Sequence, residues 1–376
     1  MKYNTAFPYF PEEDIQNILR KFKELLEGKG LLSMGKYVKE FEKKFADYIG
    51  VEHAIATTSC TSALETVLFA SGIGEGDEVI IPSQTFIATA SAVVRSGATP
   101  IFSEVNQNFL LDFEDMKSRI TSKTKAVIFV HFSGLTNENI FTIKDWLNER
   151  GVLLLEDAAH AHGASVFDKK IGSIGDAATF SFYSTKNMTT GEGGMITTNN
   201  THIAEKCTSI RSRGLDIKAK YEIFNELGTN QRMTEVQALM GLSQLNNLND
   251  FVIYRNKLAN AYNKYLQPLV EDGSIRLIKV NHDTMVNAYW RYTVFLKNGQ
   301  NREEIRKKME GYSIKIDWAY QPMVHLQPIF KKMYGMREGD LPLSEQLAET
   351  HICLPIHLGI SMKGVKYISD KFIESI

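Results

Sequence analysis

The sequence predicts an α/β fold: a large domain built on a mainly parallel, mixed sheet over residues 1–250, and a small α+β domain over 251–376. Three observations predict it. Short apolar segments alternate with helix-patterned ones from His53 to Thr198, the texture of a sheet covered by helices on both faces. Polar and charged residues collect directly after those apolar segments, at the strand ends where such sheets place their ligands. After Thr201 the pattern changes to longer helices and then to short mixed elements, which marks a second unit of different build.

Taken in order, residues 11–30 read as an amphipathic helix. Ile15, Ile18, Leu19, Phe22, Leu25 and Leu26 fall on one stripe, and Gly28 and Gly30 stop it. A second helix carries Val38, Phe41, Phe45, Tyr48 and Ile49 at similar spacing. Strands are expected at 53–56, 78–81, 99–102, 125–130, 152–155, 178–183 and 194–198, with helices between them around Leu64–Leu68, 88–96 and 140–150. Helices at 203–213 and from Thr234 through Leu245 toward Tyr265 follow. The last third adds a strand at 288–295, a helix at 302–310 and a proline-marked loop at 321–328. No internal repeat or low-complexity linker interrupts the chain.

Composition narrows the function. The formal net charge of −1 offers no electrostatic reason to bind nucleic acid or an anionic membrane. No run of 18 apolar residues predicts a membrane span, and the N-terminal residues lack the apolar stretch of a signal peptide. Cys60, Cys207 and Cys353 are scattered and odd in number, which fits reduced thiols and a cytoplasmic location. His160 and His162 do not form a metal motif, and no metal is expected.

The chemistry concentrates in Gly151–Gly194. The apolar run Val152–Leu155 delivers Glu156 and Asp157 to a strand end; the strand 178–183 is followed by Lys186 in a polar turn, and Gly191-Glu192-Gly193-Gly194 closes the stretch. A carboxylate at one strand end and a lysine at the next are two parts of a pyridoxal 5′-phosphate (PLP) site. The lysine forms a Schiff base with the cofactor aldehyde, and the acid keeps the pyridine nitrogen protonated so that the ring draws electrons. The same two residues also serve elsewhere as a turn former and a solvated surface charge, so their surroundings decide.

Those surroundings supply further candidates. Ser59-Cys60-Thr61 opens a helix, where backbone N–H groups and the Thr61 hydroxyl suit a phosphate; a plain N-cap has the same sequence. Phe86, just after the strand 78–81, offers a flat face to a cofactor ring or to the core. His160 is placed to reach a phenolic oxygen, or to be a structural histidine. Ser181 alternates with Phe180 and Phe182, so its hydroxyl leaves the opposite face of the strand, near Lys186. Lys186 itself must lose its proton to attack an aldehyde, and desolvation or a cationic neighbour would have to lower its pKa.

Thr57–Ala63, Glu156–Ala161, Phe180–Asn187 and Gly191–Gly194 together resemble the DegT/DnrJ/EryC1/StrS aminotransferases, PLP-dependent sugar aminotransferases of the aspartate aminotransferase fold (fold type I). The resemblance extends through Gly228–Glu235, Gln237-Ala238 and Gly241–Leu245, and includes Ser33–Gly35, Pro322–Pro328 and Cys353–His357. It implies Lys186 as the Schiff-base lysine, Asp157 as partner of the pyridinium nitrogen, Phe86 as the stacking ring and His160 as the neighbour of the cofactor's phenolic oxygen. Cys60, Thr61 and Ser181 match phosphate-binding positions. Asn230 matches an asparagine that reaches the phosphate of a neighbouring subunit, which implies a homodimer with shared sites. Arg232 and His325 match substrate contacts. Lysine rather than histidine at 186 implies transamination, not sugar dehydration. The donor expected from the resemblance is an amino acid, glutamate, and the acceptor a nucleotide-linked 4-keto or 3-keto sugar bound for a surface polysaccharide. A small keto-phosphate or cyclitol ketone, a lyase reaction and a non-catalytic regulatory role are the alternatives. The chain departs from the family at Cys60, commonly glycine, and at Arg211-Ser212-Arg213-Gly214, often Arg-x-His-Gly.

Overall fold

The computed structural model describes residues 2–297 and 299–376. Its main sheet has seven strands: β1 (His53–Thr57), β2 (Glu78–Pro82), β3 (Thr99–Ser103), β4 (Thr124–Val130), β5 (Leu153–Asp157), β6 (Ala177–Ser181) and β7 (Gly194–Thr198). Their order is β1-β7-β6-β5-β4-β2-β3. Pairings from β6 through β5, β4 and β2 to β3 are parallel, while β7 runs antiparallel to both β6 and β1. Six strands therefore point one way, and their carboxyl ends form one rim. β7 alone reverses, so its first residue, Gly194, lies on that same rim. The sheet is the expected mixed, mainly parallel one.

Burial explains why the centres of these strands are apolar. One core cluster joins Ile80, Val127, Phe129, Leu154, Phe180 and Phe182 to the helix Lys36–Ile49; the other joins Val79, Ile81, Ile128 and Leu155 to the helix Cys60–Ala70. Alternate residues of each strand serve opposite helical layers, and only positions near the strand starts, such as Thr99 and Lys125, are exposed. The helix Lys36–Ile49 is anchored by a distant carboxylate. Glu235, fully buried, accepts from the backbone N–H groups of Gly35 (2.9 Å), Tyr37 (2.8 Å) and Val38 (3.0 Å), the donors a helix start leaves open.

The helix Glu235–Glu271 starts at a capping box, Thr234 with Gln237. Its first half packs in the main core through Leu239, Leu242, Leu245 and Leu248; from Leu258 to Leu269 it belongs to a separate C-terminal core. That second core is built on a three-stranded antiparallel sheet of β8 (Ile275–Leu277), β9 (Tyr292–Leu296) and β10 (His351–Leu354), with β9 in the centre. β9 is shorter than the expected strand at 288–295. The N–H groups of Ala288 and Trp290 are taken by Gly134 O (3.0 Å) and Ser133 O (2.9 Å), so this backbone straps across to the loop after β4 before joining the three-stranded sheet.

Glu156 and Asp157 sit side by side at the end of β5 and, as period two requires, serve opposite faces. Glu156 is the structural one. It accepts from His131 Nε2 (3.0 Å) and from the N–H groups of Gly172 (3.1 Å), Ile174 (2.9 Å) and Gly175 (2.7 Å). Burial by itself would raise this carboxyl, but the bonds from His131, Gly175 and Gly172 outweigh it and hold it below the usual carboxylate range. Glu156→Gln puts an amide NH2 among donors that need an acceptor. It is expected to cost about 2–4 kcal/mol of stability, seen as a lower thermal midpoint. An unchanged midpoint would contradict this reading of Glu156.

Candidate active site

The rim of carboxyl ends encloses a cavity of about 540 Å³. Seven of the sequence-predicted residues line it: Cys60, Thr61, Phe86, Asp157, His160, Ser181 and Lys186. They come from β1, β2, β5 and β6 and from the turns that follow them, which is why their spacing in sequence is so wide.

Asp157 ends β5 and is 5 % exposed. Thr89 Oγ1 donates to its Oδ2 at 2.8 Å, and the Ala159 N–H donates to Oδ1 at 3.1 Å. Burial raises its pKa despite those bonds and the charge of Lys186, so the carboxylate is poised to pair with a cation presented to it. Phe86 caps the helix Ile87–Arg95, stays half-exposed to the cavity, and leans against Tyr320 at 5.2 Å between ring centroids.

Lys186 follows β6 in a turn closed by its own N–H to Tyr183 O (2.9 Å). The residue is half-buried, and its amine, at the enclosed end of the cavity, lies 4.5 Å from the centroid of the Trp290 ring. Desolvation pushes its pKa down to about 8, against the opposing pull of Cys60 and Asp157. Trp290 is itself fixed by Nε1 donating to Thr185 O (2.9 Å) and stacks on His160, 3.7 Å apart and 9° from parallel. His160 Nε2 is 3.2 Å from the Tyr320 hydroxyl. Burial, then the charges of Lys186 and Arg291, hold the imidazole well below its usual pKa, so it is neutral at pH 7.

At the other end, the helix Cys60–Ala70 points its N-terminus at the cavity. Ser59 caps it through the Ser62 N–H (3.1 Å), which leaves the N–H groups of Cys60 and Thr61 for an anion. Ser181 faces the same space, with Phe180 and Phe182 turned to the core on the other side. The glycine run has its reason here. A Cβ at Gly194 would stand 2.4 Å from the Ser59 carbonyl, so only glycine lets β7 pass behind the anion loop.

The other three predicted residues lie outside the cavity lining. Asn230 is exposed and bridges to Ser212; Arg232 is half-buried and bridges to Thr57. His325, expected as a substrate contact, does not line this cavity. The 3-10 turn Val324–Leu326 carries its ring inward, fully buried, toward Phe102 and with Nε2 3.1 Å from Glu345 Oε1. Thr89, Trp290, Arg291, Asp317 and Tyr320 went unforeseen. Thr89 had a signal, one helical turn after Phe86; the others come from the C-terminal third of the chain, which no strand-end rule places at this rim.

The donor set fits PLP. Cys60 and Thr61 N–H groups with Ser181 would hold the phosphate, Phe86 and the neutral His160 the ring, Asp157 the ring nitrogen and Lys186 the aldehyde carbon. A lysine amine and a buried carboxylate sharing one cavity of this fold mark a PLP-dependent enzyme of fold type I. The sequence profile of the DegT/DnrJ/EryC1/StrS aminotransferase family matches residues 12–373, and the chain belongs to that family. It is 37 % identical over 341 residues to GDP-perosamine synthase of Caulobacter vibrioides, covering 90 % of each chain. It is 35 % identical to the spore coat polysaccharide biosynthesis protein SpsC of Bacillus subtilis, covering 99 % of this chain and 95 % of that one. It superposes on the X-ray structure of the aminotransferase from Psychrobacter cryohalolentis with a TM-score of 0.91 and 29 % identity, over 99 % and 98 % of the two chains.

The depressed pKa of Lys186 gives a pH signature. Only the neutral amine attacks an aldehyde, so the rate at which apoprotein captures PLP should rise about tenfold per pH unit below about 8 and level off above it. Stopped-flow absorbance reads this directly. A rate that keeps climbing to pH 10 would show an unperturbed lysine.

Proposed function

We propose that this enzyme transfers an amino group from glutamate to the keto group of a nucleotide-linked sugar, as a step toward a surface polysaccharide or glycoconjugate. The names of the related GDP-perosamine synthase and SpsC support the sugar, and the single observation that carries transamination is the lysine amine facing the cavity. PLP, when bound, supplies the electron sink that makes the substrate α-hydrogen acidic. The chain does the rest. Asp157, held by Thr89 and Ala159, would hold a positive charge on the ring nitrogen. Lys186 Nζ would be the base that takes up and returns a proton at the substrate α-carbon; an amine near pKa 8 accepts and returns a proton at neutral pH. His160, neutral at pH 7, would stand beside the cofactor's phenolic oxygen without adding a cation there.

A homodimer accords with this reading. Tyr221, Ile223, Phe224 and Leu227 are 71 %, 46 %, 49 % and 98 % exposed, beside Asn230, an apolar surface that a second copy would cover while bringing Asn230 to its phosphate. No described helix is long and apolar enough to cross a membrane, which suits the cytoplasmic location expected of a nucleotide-sugar pathway. An acceptor screen tests the function. With glutamate as donor, 2-oxoglutarate should form with nucleotide-linked keto sugars. Turnover only with keto phosphates or cyclitol ketones would overturn the sugar assignment.

A further inference from the structure

The Asp157 side chain accepts two hydrogen bonds from the described residues, one at each oxygen: from Thr89 Oγ1 at 2.8 Å and from the Ala159 N–H at 3.1 Å. Burial raises its carboxyl, and of the effects opposing that rise the Thr89 bond stands first, ahead of the Ala159 N–H and the charge of Lys186. The other ionisable groups facing it, His131 after β4, Cys60 after β1 and Tyr320, make no hydrogen bond to it. Thr89 stands behind Asp157, fully buried and outside the cavity lining. It lies in the helix Ile87–Arg95, where a threonine hydroxyl ordinarily donates to the carbonyl four residues back. The residue four back is Thr85, and what meets Thr89 there is the Thr85 hydroxyl, 2.7 Å away. An ionised carboxylate only accepts, and a hydroxyl has one proton. With Thr89 donating to Asp157, Thr85 has to be the donor of the second bond. The two threonines, 2 % and 0 % exposed, thus form a one-way chain from Thr85 through Thr89 to Asp157.

We propose that Thr85 and Thr89 are positioning residues that hold Asp157 in its charged form, and through it keep the coenzyme's ring nitrogen protonated. The proposal rests on the assignment of Asp157 to that nitrogen in the reading above. A buried pair of carboxylate and pyridinium has a neutral alternative, in which the proton crosses from the nitrogen to the carboxylate and no charge is left. Donors to the carboxylate favour the charged arrangement, and Thr89 is one of the two that Asp157 has. Thr85 secures that donor. By occupying the Thr89 oxygen it aims that residue's single proton at Asp157, and it polarises the O–H bond it acts on. Loss of Thr89 therefore acts on Asp157 directly, and loss of Thr85 acts only through Thr89.

The test reads the ring nitrogen itself, by NMR of enzyme loaded with PLP isotopically labelled at that atom. Wild type at pH 7 should give the signal of a protonated pyridine. Thr89→Val, close in shape but without a donor, should move the signal toward the unprotonated position. It should also slow the loss of the coenzyme's visible band on adding L-glutamate about 10- to 100-fold, the range of a charge-assisted hydrogen bond, with PLP content unchanged. Thr89→Ser, which keeps the hydroxyl, should bring both readouts back to near wild type. Thr85→Val should move them the same way by less, and adding it to Thr89→Val should change nothing further, since residues acting in series do not add. If Thr89→Val does not fold, Thr89→Cys, whose S–H is a weak donor, takes its place. An unchanged nitrogen signal in the folded Thr89 variant overturns the proposal, because a merely structural threonine would lower stability or PLP content and leave that signal alone. A further loss of rate from Thr85→Val in the Thr89→Val background also overturns it, since Thr85 would then act by another route. A wild-type signal already at the unprotonated position sinks the pairing of Asp157 with the ring nitrogen, and this proposal with it. Wild type inert to glutamate is a different result: it sinks the donor reading, while the nitrogen signal still decides this one.

Discussion

Lys186→Ala should abolish turnover while leaving the fold intact. The substitution removes both the nucleophile that attaches the coenzyme and the base that moves the substrate proton. General acid–base catalysis alone accounts for about 10²–10⁴ in rate, and loss of covalent activation comes on top. The side chain leaves the end of a cavity, so no core contact is lost with it. Removing an amine whose pKa is pushed down to about 8 by burial relieves a desolvation cost at pH 7. Below its unfolded pKa near 10.5 the amine takes up protons more readily in the unfolded chain, so the wild-type apoprotein gains stability as pH rises from about 8 toward 10.5; the alanine variant should show no such gain from this site. Steady-state assays at saturating glutamate and thermal melts at two pH values check both halves. Retained activity would remove Lys186 from the mechanism.

Asp157→Asn should leave a folded protein that still binds PLP but turns over about 10²–10⁴-fold more slowly. Thr89 and the Ala159 N–H can both still donate to an amide oxygen. What is lost is the negative charge facing the ring nitrogen. Breaking a buried ion pair from one side costs about 3–5 kcal/mol, and each 1.4 kcal/mol is about tenfold in rate. The expected loss falls on kcat with little change in PLP occupancy, because the phosphate and Lys186 ends of the site are untouched. A variant within a few-fold of wild type would show that the ring nitrogen needs no charge beside it.

Much of this was legible in the sequence because the seven-stranded sheet obeys local rules. Each strand from β1 to β7 is a short apolar run bounded by turn residues, and the residues just past the strand ends are the ones that line the cavity. Ser181 was placed by alternation alone, since Phe180 and Phe182 had to face the core. What escaped depends on long-range geometry. Strand polarity leaves no trace in an apolar run, so the reversal of β7 shows only in its pairing with β1 and β6. Trp290 and Arg291 sit in an apolar stretch that reads as strand, yet the hydrogen bonds of Ala288 and Trp290 to Gly134 and Ser133 turn them into the cavity. The burial of His325 was hidden for the opposite reason: a polar residue in a proline-marked loop reads as accessible, and only Glu345 and Phe102, 20 residues after it and far before it in sequence, explain its burial.

The central claim is that the Lys186 amine carries the coenzyme. Borohydride reduction of the PLP-loaded enzyme, followed by peptide mass mapping, measures it most directly. The phosphopyridoxyl mass should appear on the peptide bearing Lys186 and nowhere else, and pre-incubation with glutamate should prevent it. A stable adduct on any other lysine, with position 186 unmodified, would contradict the account.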